Sequence, residues 1–293
     1  MQNEIDQPAI RSVAVLDHPK IARTGEVADD IQAALQSWGV VVHRASTWDT
    51  PAVQAIAGQA ALLVALGGDG STLRAARVAA PHGAMVVSVN MGRLGFLSEM
   101  RPDNWREVLP RIVRGDYWVE ARMMLTARVS RNGRAGEPET LDPRDALNDI
   151  VISRGTLARM VRIRTHVDGG LLTTYACDGL IVATATGSTA YALAAGGPIL
   201  PPQLRNIVLV PIAPHLSLDR AVVLSQGSVV EMVVRTDHQA ILTADGQSEM
   251  VLNDGDTVTV RASAHLARFA RVQPATYFYR TLMSRLKQEP CEE

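Results

Sequence analysis

The chain has 293 residues, 47% of them apolar and 20% charged, with a formal net charge of −1. That profile belongs to a soluble globular protein of one large or two ordinary domains, and a balance so near zero gives no field suited to nucleic acid or a membrane surface. The two cysteines, Cys177 and Cys291, support neither a disulfide framework nor a cysteine metal site. The polar start from Met1 to Ile10 and the lack of an apolar run of about 18 residues make a cytoplasmic protein the expectation.

From Val13 to Val89 short apolar runs alternate with amphipathic stretches, the pattern of a Rossmann-like parallel α/β domain. Val13 to Leu16 reads as a strand, and Gly25 to Trp38, with Val27, Ile31, Ala34 and Leu35 at helical spacing, as a helix ended by Gly39. Val40 to Val42 follows as a strand and Pro51 to Gly58 as a short helix. Leu62 to Leu66 is a third strand, Ser71 to Ala80 a helix, and Met85 to Val89 a fourth strand.

Between the third strand and its helix lies Gly67-Gly68-Asp69-Gly70-Ser71-Thr72. A buried strand that empties into glycines and then a helix offers bare backbone N–H groups to phosphate. A carboxylate there repels phosphate, so Asp69 needs another task. Holding a metal ion, taking a proton from an attacking hydroxyl and capping the helix all remain open. Lys20 and Lys287 are the only lysines, which excludes a P-loop and leaves no lysine near a glycine loop in the sequence.

Asn90-Met91-Gly92-Arg93-Leu94-Gly95-Phe96-Leu97 leaves the fourth strand as a shaped loop carrying one of only three phenylalanines. Asp69 and Asn90 each follow the carboxyl end of a strand, where open parallel sheets bind ligands. A helix from Asn104 to Arg114 closes this half.

From Tyr117 the texture changes to short β-type segments, at Met123 to Val129, Val161 to Val167, Leu171 to Tyr175, Leu180 to Thr184, Ile207 to Ile212, Val229 to Arg235, Ala240 to Thr243 and Thr257 to Arg261. Their density predicts a β-sandwich-like domain. Asn132 to Thr140 reads as a hairpin tip, Tyr277 to Leu286 as a final helix that packs back on the N-terminal domain, and Gln288 to Glu293 as a disordered tail. The expected domains are 1–115, 116–270 and a helix with its tail over 271–293. Two motifs stand out in this half. Asn148-Asp149 sits at a strand mouth, and Asp178-Gly179 leads through Leu180 to Thr184 into Thr186-Gly187-Ser188-Thr189-Ala190-Tyr191, which offers hydroxyls and N–H groups to a helix start or a polar ligand.

Each motif alone has an ordinary structural reading as turn, cap or core. Together and in this order they resemble the NAD kinase family, which carries a GGDG motif, an N-x-G-x-L-G-F loop, an Asn-Glu/Asp pair and a D-G…T-x-T-G-S-T-A-Y segment. Pro214-His215 and Asp245-Gly246-Gln247 also stand where that family has a Pro-His turn and an acidic-glycine-glutamine site. The match runs from Leu66 to about Gln247.

The resemblance implies phosphorylation of the 2′-hydroxyl of the adenosine ribose of NAD, with ATP or polyphosphate as donor and a divalent cation, most simply Mg²⁺, as cofactor. It makes Asp69 the base, with Gly67, Gly68 and Gly70 leaving room for phosphates and Asn90 and Phe96 shaping the site. By the same resemblance Asn148 and Asp149 contact the dinucleotide, Asp178 serves the adenine site, and the strip Thr189, Ala190, Tyr191, Ala192, Leu193 and Ala194 lines the nucleotide. Gln247 is a late contact, and Arg159 aligns with a basic residue that approaches ligand phosphate, beside its plainer reading as a solvated arginine. No metal ligands are singled out.

Some positions depart from the family. Ser71 stands where Thr is common, Ala185 replaces a usual proline and Ala194 a usual serine, and Ala176 stands where some relatives have arginine, which leaves the acceptance of NADH open. His215 and His238 lack partners at metal-ligand spacing and read as structural. The family implies homodimers or homotetramers. The competing readings are a lipid or sugar kinase sharing the GGDG loop and a non-catalytic dinucleotide-binding regulator.

Overall fold

The computed structural model describes residues 7–92, 95–132, 138–155, 159–215 and 217–286. It divides into two compact units, one running up to Ala121 and resuming at Leu266, the other spanning Arg122–His265.

The first unit begins with β1 (Ser12–Asp17), α1 (Arg23–Ser37), β2 (Val41–Ser46), α2 (Thr50–Ala57), β3 (Leu62–Gly67), α3 (Asp69–Ala79), β4 (Met85–Asn90) and α4 (Trp105–Val113). The four strands are parallel in the order β4-β3-β1-β2. All of β3 is buried, as its unbroken apolar run requires in a sheet covered on both faces. Helix α1 buries Thr24, Ala28, Ile31 and Leu35 along one stripe and ends at Gly39, whose φ of 75° only glycine adopts without strain. Helix α2 is started by Asp49, whose side chain accepts the Ala52 N–H at 3.1 Å. These faces meet in a core that includes Val13, Val15, Leu62, Val64, Leu66, Trp105 and Leu109.

The second unit holds most of β5 (Trp118–Asn132), then β6 (Pro138–Thr140), β7 (Arg144–Ala146), β8 (Asp149–Arg154), β9 (Val161–Val167), β10 (Gly170–Cys177), β11 (Gly179–Thr184), the single-turn helix α5 (Tyr191–Ala194), β12 (Asn206–Ile212), β13 (Val222–Ser225), β14 (Val230–Arg235), β15 (Ala240–Ala244), β16 (Ser248–Leu252) and the first part of β17 (Thr257–Arg271). One antiparallel sheet runs β13-β12-β11-β8-β15-β16, and β10, β9, β14 and β17 form another antiparallel array. Alternate side chains of both, Ile150, Ile152, Leu180, Val182, Ile163, Met232 and Val258 among them, fill one core. The β-sandwich-like expectation holds.

The chain returns to the first unit in the last part of β17, where Arg268 and Phe269 pair in parallel with Met85 and Val86 of β4. Helix α6 (Tyr277–Leu286) follows, with Tyr277 and Phe278 buried in that unit, so the final helix packs back as expected. The expected tail at Gln288 to Glu293 and the centre of the Asn132 to Thr140 hairpin tip, 133–137, lie outside the described residues; β5 and β6 pair on either side of the latter.

Two sequence expectations need correction. Helix α3 starts at Asp69 rather than Ser71, because Gly68 takes extended torsions, φ −102° and ψ −169°, and itself occupies the N-cap. The hydroxyls of Thr186 to Thr189 cap no helix. A 3₁₀ turn at Gly187–Thr189 uses Ser188 to donate to the Ala185 carbonyl at 2.7 Å and to accept the Leu200 N–H at 2.9 Å.

Candidate functional site

In the first unit the glycine loop and the loop after β4 are fastened to each other. Gly67 pairs with Asn90 across β3 and β4, and the Met91 N–H donates to the Gly67 carbonyl at 3.0 Å. Asp69 is the fastener. One carboxylate oxygen accepts the Phe96 N–H at 2.9 Å and the other the Leu97 N–H at 3.3 Å. A Cβ added at Gly95 would overlap that carboxylate, which is why the loop carries glycine there. Asp69 makes no capping bond to its own helix, so the cap reading falls away. It stays half-exposed, between exposed Gly68 and Gly70.

Asn90 is buried, and its amide shapes the loop from within, donating to the Ser98 hydroxyl at 2.9 Å and accepting the Gly92 N–H at 2.8 Å. The Phe96 ring packs 6.5 Å from that of Phe278 on α6. Ser71 is buried, and its hydroxyl has no partner among the described residues.

Beneath this loop lies a knot of charge that the sequence did not reveal. Arg271 is fully buried and binds Glu99 at 3.1 Å and Glu120 at 2.9 Å. Its guanidinium also donates to the Leu97 carbonyl at 3.1 Å. Glu99 takes the Val272 and Gln273 N–H groups, and the Tyr277 hydroxyl donates to Glu120 at 3.0 Å. The Leu97 residue therefore donates to Asp69 on one side and accepts from Arg271 on the other.

In the second unit Asp245 plays a comparable part. Its carboxylate accepts the N–H groups of Leu147 at 3.1 Å, Asn148 at 2.7 Å and Asp149 at 3.3 Å, fixing the mouth of β8. Asp245 holds a φ of 53°, and the Asp-Gly pair it forms with Gly246 is the signal that marks such a turn. Gly187 abuts the Asn148 backbone so closely that any side chain would overlap its carbonyl. The Thr184 hydroxyl donates to the Leu147 carbonyl at 2.6 Å and accepts the Gly187 N–H at 3.1 Å, while the buried Thr186 hydroxyl has no partner among the described residues. The Asn-Asp pair and the Thr-Gly-Ser-Thr turn thus form one piece of surface.

Around it, Asp178 is half-buried and paired with Arg154 at 3.1 Å. The Ala176 carbonyl accepts the His215 N–H at 2.8 Å, the backbone role of the Pro-His turn. In the Thr189 to Ala194 strip, Tyr191 is exposed while Ala192 is buried against Val151, Ile181 and Val208. Gln247 is half-buried after the Asp245 turn. Arg159 stands on the surface in an ion pair with Asp237 at 3.2 Å, both side chains largely exposed; such a pair holds it by well under about 1 kcal/mol. His238 pairs with the same Asp237.

Burial first, and the Asp245 charge second, push the Asp149 carboxyl up to about 7. An aspartate in an unfolded chain titrates near 4, so between about pH 4 and pH 7 the unfolded chain releases a proton that the folded chain keeps. This contribution to stability is fully present below about pH 4 and is lost as pH rises through 7, by about 4 kcal/mol. Asp149→Asn should abolish that loss, so the stability of the variant relative to wild type rises steadily from pH 4.5 to 7.5 in urea unfolding. A difference independent of pH would contradict the assignment.

No group of three or more His, Cys, Asp or Glu side chains able to hold a metal ion occurs among the described residues, and no helix among them is long and apolar enough to cross a membrane.

Residues 13–117 match the family described as the ATP-NAD kinase N-terminal domain, and residues 147–272 the ATP-NAD kinase C-terminal domain. A protein named NAD kinase from Chloroflexus aggregans is 39% identical over 95% of this chain and 99% of its own length, and another from Heliobacterium modesticaldum is 44% identical over 78% of each. Among solved structures, an NAD kinase from Archaeoglobus fulgidus in complex with ATP superposes with a TM-score of 0.75 at 27% identity, covering 94% of this chain and 98% of that one. A yeast NADH kinase complexed with NADH, at 22% identity and a TM-score of 0.83 over 98% of this chain and 91% of that one, shares the fold. With both family domains matched and relatives of this identity spanning nearly its whole length, the chain belongs to the NAD kinase family.

Proposed function

We propose that this NAD kinase transfers the terminal phosphoryl group of ATP or polyphosphate to the 2′-hydroxyl of the adenosine ribose of NAD, with Asp69 as the base. The observation that carries this reading is the pair of N–H bonds from Phe96 and Leu97 to Asp69. They fix the carboxylate at the open end of β3 and leave each oxygen lone pairs for a hydroxyl. In the transfer the ribose oxygen forms a bond to phosphorus, the bond from phosphorus to the donor's bridging oxygen breaks, and the hydroxyl proton passes to Asp69. Alignment and charge stabilisation supply most of the acceleration in such reactions.

The dinucleotide is held by the surface built around Asn148, Asp149, Asp178, Gln247 and the Thr189 to Ala194 strip. The Thr186 hydroxyl, without a partner among the described residues, supports a polar ligand there, since a buried hydroxyl left unpaired costs about 1–3 kcal/mol. Arg159, whose one ion pair among the described residues is exposed, can turn to a ligand phosphate.

With no cage of side chains for a cation among the described residues, a divalent ion fits as one carried in on the donor's phosphates with most of its water, the habit of Mg²⁺. Bound there it neutralises charge on the transferring group. Purified protein with NAD, ATP or polyphosphate and Mg²⁺ should form NADP, and excess EDTA should abolish the product. Tight NAD binding without turnover would instead make the chain a dinucleotide-binding regulator. The reading places the protein in the cytoplasm as a homodimer or homotetramer, a count that light scattering measures.

A further inference from the structure

A cavity of about 520 Å³ opens at the amino edge of the first unit's parallel sheet. Ile10 and Arg11 line it just before β1 and Val40 just before β2, while Trp38 and Arg114 line it from the ends of α1 and α4. Asp69 follows the carboxyl end of β3, a parallel neighbour of β1, so the cavity lies a strand length of about 20 Å from it, on the far side of the sheet's span. Its floor is apolar. Ile10, Val40 and Val113 are 3%, 6% and 8% exposed, and the Trp38 ring forms a wall that is 40% exposed.

The walls are fixed by backbone bonds. The Ile10 N–H donates to the Val113 carbonyl at 2.9 Å, which ties the segment before β1 to the end of α4, and the Val41 N–H donates to the Arg11 carbonyl at 2.9 Å. The end of α4 leaves no carbonyl unpaired, because those of Pro110, Arg111, Ile112 and Val113 accept the N–H groups of Arg114, Asp116, Gly115 and Ile10. The polar side chains that line the cavity are therefore two guanidinium groups, both exposed. Neither Arg11 nor Arg114 has an ion pair among the described residues. Asp116 feels the Arg114 charge, but its carboxylate is bound by Arg111 at 2.6 Å.

We propose that this cavity is a binding site for a small aromatic carboxylate, with its ring against Trp38 and the apolar floor and its carboxylate on Arg11 and Arg114. A volume of this size, a preformed apolar lining and a few polar groups are the properties of small-molecule sites. The indole offers a flat face on which a ring stacks with an offset. A guanidinium holds a carboxylate through two parallel N–H bonds, which selects an acid over an alcohol of the same shape, and two such groups repel an amine. A chain of phosphates carries more charge than an apolar floor can receive without cost. The site is separate from Asp69 and from the dinucleotide surface, and the inference does not rest on the kinase reading.

Calorimetry of the full chain with 2-naphthoate tests it, with 2-naphthalenemethanol as the uncharged probe of the same shape. Wild type should bind the acid at least about tenfold more tightly than the alcohol. Arg11→Gln and Arg114→Gln should each weaken the acid about tenfold and leave the alcohol unchanged, while Trp38→Ala weakens both alike. These three side chains are exposed, so the substitutions leave the fold intact. Saturating NAD should change the affinity for the acid by less than about twofold. No binding of the acid at millimolar concentration, equal affinity for the two probes, or an unchanged affinity for the acid in the double arginine variant would overturn the site. Displacement of the acid by NAD would place the probe on the dinucleotide surface and overturn it as well.

Discussion

Asp69→Asn lowers kcat by about 10²- to 10⁴-fold, the usual worth of a general base, while the protein stays folded. The carboxamide has nearly the shape of the carboxylate and cannot take the hydroxyl proton. It also offers one acceptor in place of two, so either the Phe96 or the Leu97 N–H loses its partner. Because Asp69 is half-exposed, water replaces that bond, and the cost to stability is on the order of 1 kcal/mol. Steady-state kinetics beside a thermal unfolding scan separates the two effects. A variant within about tenfold of wild type would remove Asp69 from the role of base.

Arg271→Met destabilises the first unit by about 3–5 kcal/mol. The guanidinium has no exposed surface, and the Glu99 and Glu120 side chains it joins are each 1% exposed. Removing the cation strands two buried carboxylates, which is far more costly than the pair is stabilising. Methionine conserves much of the volume, so little of the loss comes from a cavity. The same change frees the Leu97 carbonyl, which loosens the peptide that steers Asp69 and lowers activity in the molecules that stay folded. Urea unfolding measures the first effect. A loss below about 1 kcal/mol would show that the knot is not held together by this residue.

These two predictions mark how far the sequence could be read. The parallel sheet was legible because Val13 to Leu16 and Leu62 to Leu66 are unbroken apolar runs and Met85 to Val89 is broken only by Ser88, and both faces of such strands are buried. The onset of α3 was misplaced by two residues because three glycines give no side-chain signal, and the extended torsion of Gly68 decides the matter. Asp69 stood out, yet its bonds to Phe96 and Leu97 span 27 and 28 positions, and nothing local distinguishes them from a cap.

The Arg271 knot was invisible for the same reason, carried further. Glu99 and Arg271 lie 172 positions apart, and each alone reads as a surface charge. Asn148, Asp149 and Asp178 stood out as motifs, but their roles at a ligand came only through resemblance to a family, since an Asn-Asp pair at a strand mouth is ordinary turn chemistry. Asp245 was noted as part of a motif, but its grip on three successive N–H groups follows from the pairing of β15 with β8. The gathering of Lys20 and Arg74 on Trp48 depends on two turns and helix α3 meeting at one sheet edge, which composition and periodicity do not encode.

The central claim is that the Asp69 carboxylate meets the ribose hydroxyl it deprotonates. A crystal structure of the protein with NAD and an unreactive ATP analogue measures that distance directly. The account predicts an Asp69 oxygen within about 2.6–3.2 Å of the 2′-oxygen, or joined to it through one water. A 2′-hydroxyl turned away from Asp69, with another side chain in that position, would contradict it.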